Sequence, residues 1–137
     1  MAPSIQEHGE AFLTMSLAEN PKDTPKDVFE TGYWLTGVSK MKDPSMWWEI
    51  IKYVVSRYDT TDLIADAATE AKSVLGHLAA GPLEDLLWFN GAEFIEQVSR
   101  EAKQDSRVCW MLSLVRRGDM TEELWSRVLI ASHRSDG

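Results

Sequence analysis

Apolar residues recur along the chain at three- and four-residue spacings, and this helical periodicity continues from the first segment to the last. The clearest case follows Asp43-Pro44, where one helical face carries Trp47, Ile50, Ile51, Val54, Val55 and Tyr58. Alternating runs of β-branched residues joined by Asn-Gly hairpins are scarce. The pattern therefore predicts an all-α protein.

Start and stop signals divide the chain into about eight short helices. Ser4 and Glu7 have the spacing of a capping box, which starts a first helix that runs to about Ala18. Further helix starts are predicted at Thr24, Asp43, Asp105 and Thr121.

The middle of the chain is predicted to form three helices. The first covers about 61–78 and bends or breaks near Gly76. The second covers 83–89, begins after Gly81-Pro82, and ends at Asn90-Gly91 in the manner of a left-handed cap. The third covers about 92–103.

These elements predict a single domain over 1–137, built as a compact bundle or a short stack of HEAT-like helix pairs, with a frayed tail at 133–137. The helix after Asp105 is apolar almost all round and is predicted to be the most deeply buried. This helix and the one after Asp43 both follow an Asp cap with an early tryptophan. They are either a degenerate repeat or two unrelated amphipathic helices.

Composition and charge exclude several classes of protein. The 137 residues are 44% hydrophobic and 26% charged, which is typical of a globular domain. The net charge of −8 disfavours direct binding to nucleic acid or to a membrane surface. Cys109 is the only cysteine, and the chain has neither a signal-peptide pattern nor an apolar run long enough for a membrane span. We expect a soluble cytoplasmic protein.

The run Gly-Pro-Leu-Glu-Asp-Leu-Leu at 81–87 follows an Asp-Pro helix start at Asp43 and precedes an Asp-capped helix at Asp105. In these features the chain resembles a family of small, uncharacterised bacterial α-helical proteins, and the resemblance covers about 43–117. It implies a compact helical fold, and it supplies no activity, cofactor or catalytic residue.

Negative charge is concentrated in one region. Between Tyr58 and Ser99, eight carboxylates stand against the single base Lys72, which gives this region −7 of the total −8. On a continuous helix, residues 62, 66 and 70 would share one face. Such a stripe is either a solvated helix face or a surface that steers a basic partner.

Trp88 and Phe89 follow two leucines, and four consecutive apolar side chains on a helix cannot all face one core. The default interpretation is burial under a neighbouring helix, and the alternative is an exposed anchor at a protein interface. The predicted partner-binding residues are Asp59, Asp62, Asp66, Glu70, Glu84, Asp85, Trp88, Phe89 and Glu93.

The sequence predicts no catalytic residue, metal site or cofactor. Glu84 and Asp85 could serve as an acid–base or metal-binding pair, but a carboxylate that caps the start of a helix is the favoured interpretation of Glu84. The three histidines lack the spacing of metal ligands. Cys109 lies in an apolar helix, where a thiol forms little thiolate.

The function predicted first is a small acidic inhibitor that occludes a partner, such as an immunity protein for a toxin or a phage anti-defence (anti-CRISPR-type) protein. Its partner is expected to be basic, either a nuclease or a nucleic-acid-binding complex. One alternative is a self-associating structural or adaptor module in which the aromatic residues form a homodimer seam. The other is an enzyme with an unrecognised carboxylate site at Asp62, Asp66, Glu84 and Asp85.

Overall fold

The computed structural model describes residues 3–18, 24–33, 43–64 and 66–134. The helices are α1 (Ile5–Leu17), α2 (Lys26–Tyr33), α3 (Pro44–Val55), α4 (Thr61–Ile64), α5 (Glu70–Leu78), α6 (Glu84–Gln104), α7 (Ser106–Leu112) and α8 (Glu122–Ala131). A π-helical turn, Ala79–Leu83, connects α5 directly to α6. The described ranges contain no strand, and the all-α prediction is confirmed.

The predicted N-caps of α1, α3, α7 and α8 are confirmed. At α1 the Ser4 hydroxyl accepts the Glu7 N–H at 3.1 Å, and the Glu7 carboxylate accepts the Ser4 N–H at 3.2 Å. The side chains of Asp43, Asp105 and Thr121 each accept a backbone N–H from the first turn of the helix that follows. Each cap satisfies a donor that has no partner inside its helix.

The predicted helix over 61–78 is wrong, because a second start signal interrupts it. The Thr69 hydroxyl accepts the Lys72 N–H at 3.2 Å and donates to the Asp62 carbonyl at 2.7 Å. Thr69 therefore caps α5, while α4 ends at Ile64. The helix neither bends nor breaks at Gly76, which lies inside α5.

The predicted helix end at Asn90-Gly91 corresponds to a kink in α6. Asn90 has φ −136° and ψ 25°, which is not helical, and a second helical segment continues α6 to Gln104. The predicted left-handed cap is wrong, because neither Asn90 nor Gly91 has a positive φ. A Cβ atom on Gly91 would overlap the Leu124 side chain of α8, so the glycine permits close packing on α8 at the kink.

The most buried helix is α3, and the prediction that α7 holds this place is wrong. Six residues of α3 are buried, including both tryptophans, and the helix packs against α1, α5 and α6. In α7, Cys109 and Trp110 remain partly exposed. The two helices share an Asp cap but differ in length and in burial of the early tryptophan, which favours two unrelated amphipathic helices over a repeat.

Polar contacts fix α1 and α7 against their neighbours. The buried His8 places Nδ1 2.9 Å from the Thr31 carbonyl oxygen of α2. Arg107 donates to the carbonyl oxygens of Val55, the last residue of α3, and of Tyr58 at 3.2 and 2.7 Å, and so ties α7 to the end of α3. None of the described helices combines the length and the apolar character needed to cross a membrane.

Candidate functional site

The carboxylate of Glu84, at the start of α6, is buried and paired with an arginine from the turn after α7. Its side chain is 2% exposed, and its Oε1 lies 2.9 Å from Arg116 Nη2. Its Oε2 accepts the Arg116 Nε–H at 3.2 Å and the Arg116 backbone N–H at 2.8 Å. The carboxylate raises the pKa of the Arg116 guanidinium above its usual value by these hydrogen bonds and by its charge.

Two predictions about Glu84 are therefore corrected. It is not a partner-binding residue, because the fold covers it. It does accept a backbone N–H, as a capping carboxylate would, but that N–H belongs to the 113–121 turn and not to its own helix. The Glu84 carboxylate ties this turn to the start of α6.

Trp88, one helical turn after Glu84, contacts the backbone of the same residue, Arg116, through its carbonyl group. Its indole Nε1–H donates to the Arg116 carbonyl oxygen at 3.0 Å. The ring also covers Gly118, where a Cβ atom would lie 2.6 Å from the ring carbons. Gly118 has φ +52°, a conformation that favours glycine. Trp88 is thus a supporting side chain of the turn, and it remains partly exposed.

The fixed turn and the kinked part of α6 enclose a groove of about 430 Å³. We call it the Phe89 groove, and its lining residues are Leu87, Trp88, Phe89, Asn90, Gly91, Ala92, Glu93, Asp119, Met120, Thr121 and Leu124. Leu87 is buried in the core, whereas Phe89 is 50% exposed. The default interpretation, burial of this apolar run under a neighbouring helix, is therefore wrong for Phe89, and the exposed alternative applies to it.

Carboxylates surround the Phe89 groove. Glu93 and Asp119 line it, and Glu122 and Glu123 are exposed in the first turn of α8, directly after the lining residue Thr121. Of the two nearby arginines, Arg116 is engaged by Glu84, and the Arg117 Nε–H donates to the Met120 carbonyl oxygen at 3.4 Å. The groove combines an aromatic side chain with a rim on which negative charge dominates.

The acidic residues of the 59–70 segment do not form the predicted stripe. Asp59, Asp62, Asp66 and Glu70 are exposed, but the break between α4 and α5 places them on different elements. The Tyr58 hydroxyl donates to the Glu70 carboxylate at 2.8 Å, and burial together with this bond raises the pKa of the Tyr58 phenol. None of the four lines the Phe89 groove, and neither does the partly exposed Asp85.

Four residues of the site were not predicted, namely Arg116, Asp119, Met120 and Leu124. Their contacts with α6 join residues far apart in the chain, 28 positions for Trp88–Arg116 and 32 for Glu84–Arg116, so no local pattern links them. The only local signal was the pair of Gly118 and the Thr121 cap, which together indicate a turn before a helix.

Other reactive side chains serve the fold. The Cys109 thiol donates to the Ala131 carbonyl oxygen at 3.6 Å, and burial raises its pKa. Among the residues that the structure describes, no three His, Cys, Asp or Glu side chains are grouped as metal ligands would be.

The sequence profile of a family of unknown function, DUF6869, matches residues 20–135. The match includes the whole of α6, the 113–121 turn and α8, and it is wider than the 43–117 segment that carried the resemblance. Searches of curated proteins and of solved structures gave no match.

Proposed function

The chain belongs to that family of unknown function, so its role has to be inferred from its own surface. From this surface we propose that it is a small binding protein that occludes a basic protein partner. The partner places an apolar side chain against Phe89 and its cations against Glu93 and Asp119. A nuclease or another nucleic-acid-binding protein has the dense positive charge that this rim would attract. The proposed role is that of an immunity-type or anti-defence-type inhibitor without catalytic activity, working in the cytoplasm.

The observation that carries this proposal is the exposure of Phe89 in the groove. An aromatic side chain that is 50% exposed, beside buried leucines and within a preformed concavity, is the type of residue that dominates binding energy at protein interfaces. A single exposed apolar side chain on a flat surface would carry no such implication.

The charge of the rim supports a basic partner over a neutral one. Interfaces combine an apolar centre with a polar rim, and complementary rim charges mainly increase the association rate and the selectivity. Glu93 and Asp119 line the groove from two different elements, α6 and the turn before α8. A basic segment lying in the groove would meet a carboxylate from each of them.

The rigidity of the groove supports binding without a large conformational change. The turn that forms one wall is held at Arg116, whose backbone N–H donates to Glu84 and whose carbonyl oxygen accepts from Trp88. Phe89 directly follows Trp88 on the same helix, so the anchor and its wall are fixed together. A preformed site loses less entropy on binding than a site that must become ordered.

Site-specific photo-crosslinking tests the proposal. A benzoylphenylalanine is incorporated at position 89, or at position 64 as the control, in cells that naturally express the chain. Ile64 is 73% exposed but lies on α4, away from the groove. We expect a protein attached at position 89 only, through a segment rich in Lys and Arg. Attachment through an acidic segment, or equal products from both positions, contradicts the proposal.

Matched charge variants test the rim separately from the anchor. Glu93→Lys/Asp119→Lys is expected to reduce the product formed at position 89 by about tenfold or more, because complementary charges become repulsive. Asp62→Lys/Asp66→Lys makes the same change in net charge at exposed positions outside the groove. This control variant is expected to retain the product, and an equal loss from both variants contradicts a role for the rim.

A further inference from the structure

A second groove lies at the other end of the helix pair that forms the first. It encloses about 310 Å³ and is lined by Ser99, Lys103, Arg127, Ile130, Ala131 and His133. We call it the Ile130 groove. Its described lining has two firmly cationic side chains, Lys103 and Arg127, and no carboxylate, in a chain whose net charge is −8.

The two grooves follow from the direction of α6 and α8. The Phe89 groove combines the first part of α6 with the start of α8, and the Ile130 groove combines the last part of α6 with the end of α8. The two helices therefore run in the same direction, and the groove centres are separated by roughly 15 Å, or about ten residues of helix.

The Ile130 groove has the same arrangement as the Phe89 groove with the opposite charge. Ile130 is 74% exposed, and two cations flank it. Such a surface binds an apolar side chain that has carboxylates next to it. The Phe89 groove presents this chemistry, with Phe89 exposed between Glu93 and Asp119.

We infer that copies of this chain associate head to tail, with the Phe89 groove of one copy against the Ile130 groove of the next. The two anchors then cover each other, and each carboxylate of the rim meets a cation. This contact joins two different surfaces, whereas a homodimer seam formed by the aromatic residues alone would join two identical ones. It leaves one groove free at each end, so that assembly continues beyond the dimer.

Self-association of this kind covers the Phe89 groove and competes with a basic partner for it. The inference uses the same groove as the proposed function, but it does not require that the partner exist. It deepens the proposed function by adding a stored form in which the binding site is occupied by another copy.

Light scattering on the purified chain tests the inference. The grooves are small, so we expect a weak contact, with the mean mass rising above that of the monomer between roughly 0.1 and 1 mM. A mean mass that stays at the monomer value throughout this range overturns the inference.

Exchange of charge between the two grooves provides the specific test. Glu93→Lys/Asp119→Lys makes both grooves basic, and Lys103→Glu/Arg127→Glu makes both grooves acidic. All four side chains are exposed, so circular dichroism is expected to show unchanged folding. Each variant alone is expected to remain monomeric, and an equimolar mixture is expected to recover the association. Association of either variant alone, or no recovery in the mixture, overturns the inference.

The two proposals can fail separately. Lys103→Glu/Arg127→Glu disables the Ile130 groove and keeps the Phe89 groove, so this variant is expected to retain the crosslink from position 89. Retention of the crosslink by a chain that never self-associates removes only the present inference. Self-association in which position 89 crosslinks only to a second copy of the chain removes only the proposed function.

Discussion

Removal of the Arg116 side chain is expected to destabilise the fold more than neutralisation of Glu84, although Arg116 is the exposed member of the pair. The Arg116 side chain is 73% exposed and the Glu84 side chain only 2%. Arg116→Ala leaves a buried carboxylate without its counter-charge, which is costly. Glu84→Gln removes the charge itself, and the exposed guanidinium that remains is solvated by water.

The magnitude for Glu84→Gln follows from the bonds that it weakens. Glu84 accepts three hydrogen bonds from Arg116, and an amide oxygen can still accept the backbone N–H. We expect a loss of about 1–2 kcal/mol in the free energy of unfolding, or roughly 3–8 °C in melting temperature. Arg116→Ala is expected to exceed this loss.

Urea unfolding of the two single variants and of the double variant measures the coupling between them. Arg116→Ala/Glu84→Gln is expected to be more stable than Arg116→Ala alone, because the uncompensated charge is then absent. Arg117→Ala changes an exposed neighbour as a control and is expected to have a small effect. Two results would show that an unpaired Glu84 carboxylate is not the main cost. One is a smaller loss of unfolding free energy for Arg116→Ala than for Glu84→Gln, and the other is a double variant less stable than either single variant.

Three further predictions concern the fold around the site. Gly118→Ala is expected to lower the free energy of unfolding by about 1–3 kcal/mol, because alanine is strained at this positive φ and its Cβ displaces the Trp88 ring. The tryptophan fluorescence is expected to shift as well. Unchanged emission and stability would exclude the contact between Gly118 and Trp88. Hydrogen bonds from Arg107 hold the pKa of Asp105 below its ordinary value of 3.8, so Asp105 stabilises the fold above that pH, and the contribution is lost as the pH falls through the lower folded-state pKa. The stability difference between the wild type and Asp105→Asn is therefore expected to shrink below about pH 4 in acid titrations, and a constant difference argues against the assignment. Burial raises the pKa of the Cys109 thiol, so it is expected to react with a disulfide reagent at pH 8 more slowly than the same thiol in urea, and equal rates would contradict its burial.

The parts of the fold that could be predicted from the sequence are those specified by a few neighbouring residues. Ser4, Asp43, Asp105 and Thr121 each cap a helix through a backbone N–H two or three residues away. A contact over so short a distance along the chain forms whenever the helix forms. The all-α class follows from these signals together with the apolar periodicity.

The predictions that failed required knowledge of distant residues. Asn90-Gly91 correctly indicates an interruption of the helix, but the predicted left-handed cap is absent, and Gly91 instead packs against the distant Leu124 on α8. Glu84 resembles a capping residue of its own helix, yet its partner Arg116 is 32 residues away. The packing of Gly91 and the pairing of Glu84 both depend on tertiary contacts, and the residues next to them in the sequence do not reveal those contacts.

Phe89 lies between these two cases. The run of four apolar residues showed that some side chain must leave the core, and the structure identifies it as Phe89. The sequence did not show that Asp119, in a turn held by Trp88, lines the same groove as Phe89 and Glu93.

Calorimetric titration tests whether Phe89 anchors a basic partner in the Phe89 groove. The basic segment identified by crosslinking at position 89 is synthesised as a peptide and titrated into the wild type, Phe89→Ala and the exposed control Ile64→Ala. We predict that Phe89→Ala weakens binding of the peptide by at least about tenfold, or about 1.4 kcal/mol, because an interface anchor is lost. Ile64→Ala is expected to bind as the wild type does. An unchanged Kd for Phe89→Ala would contradict the role of Phe89 as the anchor.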